Sequence, residues 1–338
     1  MRIGVAGAGR IGSMHAANLA TLDEPDSIAV FDPLPGRAEE VAAPLGAKVS
    51  AVDSVRELIG SSDGVLIATP TDTHTGLVRR AIEARIPVLC EKPLAADLAA
   101  MRALVAEIEA ANAEVLVGFH RRFDPATLEL HRRLRSGAAG CVYLVRAVCN
   151  DASPPAREFI AASGGLFRDC LIHDLDAVPW LVGDRVTEVY ATGSVLVDRC
   201  FAEAGDWDNA AVTLRFAGGA HALLSAARHD PLGYDCRTEV FASRDTLAVG
   251  DDPRTPLTSL EPGGRRVAPD AYPGFQERYL PAYLNEMRVF ADVIAGRAQN
   301  PSPARDSLHS LRLAEACEES VRTGSPVRIA EPAEEVAE

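Results

Sequence analysis

The chain has no CxxC pair, no Cys/His spacing that suits zinc, and only eight histidines among 338 residues. Its seven cysteines are scattered and odd in number, which points to reduced thiols and away from a disulfide framework or a metal centre. No apolar run reaches the length of a membrane span. The opening MRIGVAGAG carries one basic residue and then a strand-like run, not the charged and apolar regions of a leader. Positive charge is also in short supply. A formal net charge of −14 repels phosphate backbones and anionic lipids, which argues against nucleic acid or a membrane as partner. The Arg-rich stretches HRRFD and HRRLR read as a solvated helix face. These absences leave a cytoplasmic globular protein as the expectation, and 338 residues are enough for two domains.

What is present is organised in two textures. Up to about residue 120, short β-branched runs (RIGVA, SIAVF, GVLIAT, IPVLCE, EVLVGF) alternate with helical patterns, the signature of a doubly wound parallel sheet. Beyond it, CVYLVRAVCN, VTEVYATGSVLV, NAAVTLRF, GAHALLSAARHD and CRTEVFAS follow one another with few helices between, which predicts an open, mostly antiparallel sheet. RYLPAYLNEMRVFADVIAG and ARDSLHSLRLAEACEESVRTG read as closing helices. The predicted division is 1–120, 121–330, and an acidic tail at 331–338. No internal repeat is visible.

GAGRIG puts Gly7, Gly9 and Gly12 in G-x-G-x-x-G spacing directly after the first strand and at the mouth of a helix. The first glycine permits a tight turn, the second lets backbone approach a pyrophosphate, and the third allows helix and strand to pack closely. Asp32 lies twenty residues past Gly12 at the end of SIAVF, where a carboxylate can bind the adenosine ribose hydroxyls and would repel a 2′-phosphate. NAD is therefore expected over NADP, with Arg37 the one nearby residue that could favour the latter. The competing reading of Asp32 is a cap for the turn DPLPG.

Two further stretches, ATPTDTH (68–74) and CEKP (90–93), each follow a parallel strand, where open α/β sheets place their ligands. They make Thr69, Pro70, His74, Glu91 and Lys92, with Arg10 and Ile11 of the glycine loop, the candidate cofactor contacts. His15 and His74 are expected to bond backbone. The Lys92 ammonium could also stabilise developing alkoxide charge. Downstream, RDCLIHDLD places Asp169 and His173 four apart with Asp176 three further on, a polar set on one helix face between apolar flanks.

In this order and at these separations, GAGRIGSMHA, ATPTDTH, EKPLA, GFHRRFDP, SGGLFRDCLIHDLD and GYDCRTEVF resemble the Gfo/Idh/MocA oxidoreductase family, and within it the inositol 2-dehydrogenases. The resemblance runs from residue 1 to about residue 330. It implies an N-terminal Rossmann domain, a C-terminal α/β domain whose open sheet forms a homodimer or homotetramer, and a catalytic trio carried here by Lys92, Asp169 and His173. It further implies NAD-dependent oxidation of a secondary hydroxyl of a polyol, without a metal. Arg122, Asp151, Tyr234, Arg237 and Tyr283 match positions where the family lines or braces its substrate cavity, while Asp176 is expected to be structural. Asn150, where similar sequences often have arginine, and ASRDTL, which lacks a usual glycine, depart from the pattern and leave the ligand open among cyclitols, inosamines and pyranoses. A sugar dehydrogenase or ketosugar reductase, and a non-catalytic NAD binder, are the rival expectations.

Overall fold

The computed structural model describes residues 1–250 and 271–330, so the predicted acidic tail at 331–338 lies outside the described residues. The chain forms two compact units: Met1–Asp124 with Pro281–His309, and Pro125–Leu280 with Ser310–Glu338. The sequence-based division at residue 120 has no such return of the chain. The helical segment after Leu280 announces an apolar face but not the surface it covers, and here that face packs in the first unit.

In the first unit, β1 (Arg2–Ala6), β2 (Ser27–Phe31), β3 (Val49–Ala51), β4 (Gly64–Ile67), β5 (Val88–Cys90) and β6 (Val115–Val117) make one parallel sheet in the order 3-2-1-4-5-6. The crossovers are α1 (Arg10–Ala20), α2 (Arg37–Ala42), α3 (Val55–Gly60), α4 (Thr71–Ala84) and α5 (Leu98–Ala110). Strands covered on both faces must be apolar throughout, and β4, β5 and β6 are buried at every position. Ile3, Val5, Ile28, Val30, Leu66, Leu89 and Leu116 share a core with Met287 and Phe290 from a later helix. Helix starts follow local chemistry: Asp97 caps α5 by accepting the Ala100 N–H at 2.8 Å. The edge strand β3, three residues long, was not among the strands read from sequence.

In the second unit, β7 (Val142–Asn150), β8 (Val186–Ser194), β9 (Asn209–Phe216), β10 (His221–Ala227), β11 (Asp235–Ala242), β12 (Thr246–Val249) and β13 (Val327–Arg328) form a sheet in the order 12-11-7-10-9-8-13. All pairs are antiparallel except β7 with β10. Alternation in β9 buries Ala210, Val212, Leu214 and Phe216 and turns Ala211 and Arg215 outward, so one face is covered and the other open. One cross-strand row of the open face runs Tyr190, Thr213, Leu223, Arg146, Glu239. Tyr190 and Leu223 in that row are both exposed. Helices α6 (Pro125–Arg135), α7 (Arg157–Ala162), α8 (Leu166–Asp169), α9 (Ile172–Val182), α10 (Arg199–Glu203) and α11 (Phe275–Arg278) belong to this unit. The chain closes with α12 (Leu280–Ile294) and α13 (Ala304–Thr323). Among the described residues no helix is long and apolar enough to cross a membrane, and no cluster of His, Cys, Asp and Glu could hold a metal ion.

Candidate functional site

The glycine loop of the first unit has the local geometry its spacing requires. Gly7 has φ +96°, and a Cβ there would meet the Ala68 carbonyl oxygen at 2.6 Å. A Cβ on Gly12 would lie 1.9 Å from the Gly7 carbonyl oxygen, so only glycine lets α1 come this close to the loop. Gly9 is the opposite case, with nothing within 4 Å of an added Cβ. The loop is thus tight where it packs and open at its middle glycine, where α1 begins with no side-chain cap over its N–H groups. This backbone fits a dinucleotide pyrophosphate, which needs close approach and free N–H donors. Asp32 Oδ2 accepts the Ala8 N–H at 2.8 Å, and Oδ1 accepts the Leu34 N–H at 3.0 Å. The turn-capping reading of Asp32 is therefore realised, and the same carboxylate ties β2 to the glycine loop.

Beside this loop stand the two other stretches singled out by sequence. Thr69 Oγ1 bonds Thr73 Oγ1 at 2.6 Å, and Pro70 precedes α4. His74 is buried and bridges the two stretches through backbone, with Nδ1 2.9 Å from the Pro93 carbonyl oxygen and Nε2 2.9 Å from that of Thr69. The Lys92–Pro93 peptide is cis. The Lys92 N–H donates to Glu91 Oε2 at 3.3 Å. His15 departs from its expected backbone bond: Nε2 meets Glu91 Oε1 at 2.7 Å, because Glu91 brings a carboxylate under α1. Burial would raise the Glu91 carboxyl, but the hydrogen bond and charge of His15, with Lys92 and His74, hold it below the usual range. Tyr283, from α12, packs edge-on to His15 with centroids 5.7 Å apart. Its hydroxyl is pushed well up, by burial first and then by Glu91 and Glu286. Arg122 is almost wholly buried, and its Nη1 donates to Asp306 at 2.7 Å and to the Pro301 carbonyl at 3.2 Å. That makes it a brace between the stretch after β6 and the start of α13.

In the second unit the helical stretch RDCLIHDLDAVPWLVG, residues 168–183, is in two pieces. α8 ends at Asp169 and α9 begins at Ile172. Between them Cys170 and Leu171 keep right-handed dihedrals, but the Leu171 N–H reaches back five residues to Leu166. His173 is consequently in the first turn of α9 and Asp169 in the last of α8. Asp206 fixes the start of α8 by accepting the Leu166 N–H at 2.8 Å, and Arg168 ties it to Glu318 of α13 through two bonds of 2.7 Å. Asp176 is buried and accepts Ser310 Oγ at 3.2 Å.

Sequence reasoning missed the residue that organises this cluster. Arg228, just past β10 and 3 % exposed, donates from one Nη1 to Asp169 Oδ2 at 2.9 Å and to Asp151 Oδ2 at 3.2 Å. Burial works against its charge, yet Cys170, Asp169 and Asp151 more than offset this and hold the guanidinium above its ordinary range. Two carboxylates from separate segments, Asp151 after β7 and Asp169 in α8, are thereby brought together on one cation. The available signal was a lone arginine ending the apolar alternation of HALLSAAR, which is weak. Nearby, Asn150 Nδ2 bonds Asp230 at 3.3 Å. Arg237 is taken by Asp235 in a two-pronged pair at 2.8 Å, and Tyr234 packs edge-on to Tyr279.

Comparison with known proteins gives concordant findings. Residues 1–119 match the Gfo/Idh/MocA model described as an oxidoreductase family with an NAD-binding Rossmann fold, and residues 127–248 match the Gfo/Idh/MocA C-terminal domain. The chain is 36 % identical to an inositol 2-dehydrogenase of Rhizobium meliloti, over 98 % of this chain and 99 % of that one. It is 35 % identical to a myo-inositol 2-dehydrogenase of Thermotoga maritima, over 98 % and 99 % respectively. Among solved structures, a scyllo-inositol dehydrogenase of Lactobacillus casei with bound NAD(H) and scyllo-inositol matches with TM-score 0.86 at 26 % identity, covering 98 % of this chain and 99 % of that one.

Proposed function

This chain belongs to the Gfo/Idh/MocA oxidoreductase family, with its NAD-binding Rossmann fold, and from that premise we propose that it oxidises one secondary hydroxyl of a cyclitol, myo-inositol or a close relative, to the ketone. The observation that carries the reading is the anchoring of Asp169 by Arg228 four residues before His173, in a chain that also has the glycine loop and Lys92 at the end of a parallel strand. Bound NAD supplies the hydride acceptor. Gly7, Gly9 and Gly12, with the N–H groups of Arg10 and Ile11, hold its pyrophosphate, and Asp32 has the chemistry to meet the adenosine ribose. Thr69, Pro70, His74 and Glu91 shape the remaining cofactor wall.

His173 takes the hydroxyl proton, a task suited to an imidazole whose ordinary pKa is about 6.5. Lys92 donates a hydrogen bond to the same oxygen and stabilises the charge that develops there. Asp169, fixed by Arg228, orients the polyol or the imidazole. Asp151, Tyr234, Arg237 and Tyr283 supply the mixed donors and acceptors that a polyol requires. Arg122 is assigned to bracing, since its Nη1 donates to both Asp306 and the Pro301 carbonyl. The open face carrying Tyr190 and Leu223 is the surface through which a homodimer or homotetramer forms.

The test follows NADH absorbance with a panel of cyclitols and aldoses. A cyclitol among the best substrates, with NAD favoured over NADP, supports the proposal. An aldose preferred to every cyclitol, or no turnover on any polyol, contradicts it.

A further inference from the structure

Glu286 lies in the middle of α12 and is wholly buried. Neither carboxylate oxygen has a hydrogen-bond partner among the described residues. One turn earlier on the same helix, Tyr283 stacks obliquely over His120 with centroids 4.9 Å apart and meets His15 edge-on. His15 bonds Glu91 through Nε2, while its Nδ1 is also buried with no partner among the described residues. Glu286 thus lies one turn from the Tyr283 that packs on both histidines, within reach of the Glu91 charge, and beside Met287 and Phe290 of the apolar core.

An ionised carboxylate in such a place would cost far more than a leucine of similar size, so the group is neutral. Burial and the negative charge of Glu91 both push its carboxyl well above the usual range. Even a neutral acid without partners is destabilising compared with an apolar side chain. A buried acid that breaks the packing rule beside a proposed site is the kind of local violation that functional sites carry.

We propose that Glu286 is a positioning residue for the dehydrogenase site: as an uncharged acid behind the His15–Glu91 pair, it completes the polar cluster that holds Glu91 against the turn carrying Lys92. The inference rests on the function proposed above. A second negative charge here would repel Glu91. A neutral Glu286 leaves the Glu91 carboxylate to His15, Lys92 and His74. Its O–H is a donor that His15 Nδ1, without a partner among the described residues when Nε2 donates to Glu91, can use through one buried water. The ionisable groups facing the cluster are Arg10 and His15 of α1, His74 of α4, Glu91 and Lys92 after β5, Arg121 after β6, and Tyr283 of α12. His120 adds its ring against Tyr283.

The experiment compares wild type, Glu286→Gln and Glu286→Leu. Glu286→Leu keeps NADH affinity within about threefold but lowers kcat on the cyclitol at least about tenfold, and Glu286→Gln restores kcat to within about threefold. A leucine variant with wild-type kcat overturns the proposal, as does a glutamine variant as slow as leucine. A second arm needs no substrate. The native carboxyl binds its proton more tightly than the unfolded one, so wild type loses stability relative to Glu286→Gln as pH rises from the ordinary value of 4.5 towards the raised native value. A Tm difference that widens in favour of glutamine between about pH 5 and 8 supports a neutral Glu286; a flat or opposite trend overturns it. If wild type oxidises no cyclitol, the functional reading fails while this arm still decides on Glu286, as it does if the leucine variant does not fold.

Discussion

The glycine loop at residues 7–12 and the Asp169 cluster, two parts of the proposed site, are held still with different materials. The loop is held by backbone: a positive φ at Gly7, a close contact at Gly12 and an N–H bond from Ala8 to Asp32. The Asp169 cluster is held by charge, with one buried guanidinium gathering carboxylates from β7's end and α8. Backbone geometry tolerates no added atom at the packed glycines, whether the neighbour is the loop's own carbonyl or that of Ala68. Charge gathers groups from far along the chain, and depends on every partner being present.

The comparison breaks most visibly at the two side chains proposed to act on the substrate. His173→Ala and Lys92→Met each lower kcat by about two to four orders of magnitude while NADH affinity stays within about threefold, as steady-state kinetics and fluorescence titration would report. Next comes the charge-held cluster. Arg228→Met leaves Asp151 and Asp169 facing each other without their cation and costs about 3 kcal/mol in urea unfolding, with kcat falling as well. The backbone-held loop then separates its own glycines. Gly12→Ala destabilises the chain by about 2 kcal/mol, because the new Cβ meets a carbonyl that cannot move aside. Gly9→Ala, with open space around it, leaves Tm unchanged yet weakens NADH binding by about tenfold through crowding of the pyrophosphate. Equal effects of the two glycine substitutions on stability would erase the distinction.

Legibility in the sequence follows the same division. The spacing of Gly7, Gly9 and Gly12 could be read because one β-turn-α unit fixes it, and Asp32 because it ends the next strand of the same βαβ unit. The parallel character of the first sheet and the mostly antiparallel character of the second followed from the change in texture near residue 120, though not the strand order or the short β3. Arg228 could not be found because it acts on a carboxylate 59 residues away, and no local pattern encodes that distance. The break at Cys170–Leu171 was hidden for another reason: apolar flanks at helical spacing look the same whether the helix is continuous or restarts. Segment Pro281–His309 announced its amphipathic helix but not which unit it would join. Glu286 read simply as one polar position in that helix, since burial of a polar residue without partners leaves no trace in composition.

The most direct measurement of the central claim is isotope transfer from the substrate carbon. Myo-inositol deuterated at its ring carbons is incubated with NAD and either wild type or His173→Ala, and the nicotinamide product is examined for label by mass spectrometry. The account predicts one deuterium per NADH formed by wild type and essentially none formed by His173→Ala over the same interval. Label transfer by His173→Ala at the wild-type rate, or NADH produced without label, would contradict it.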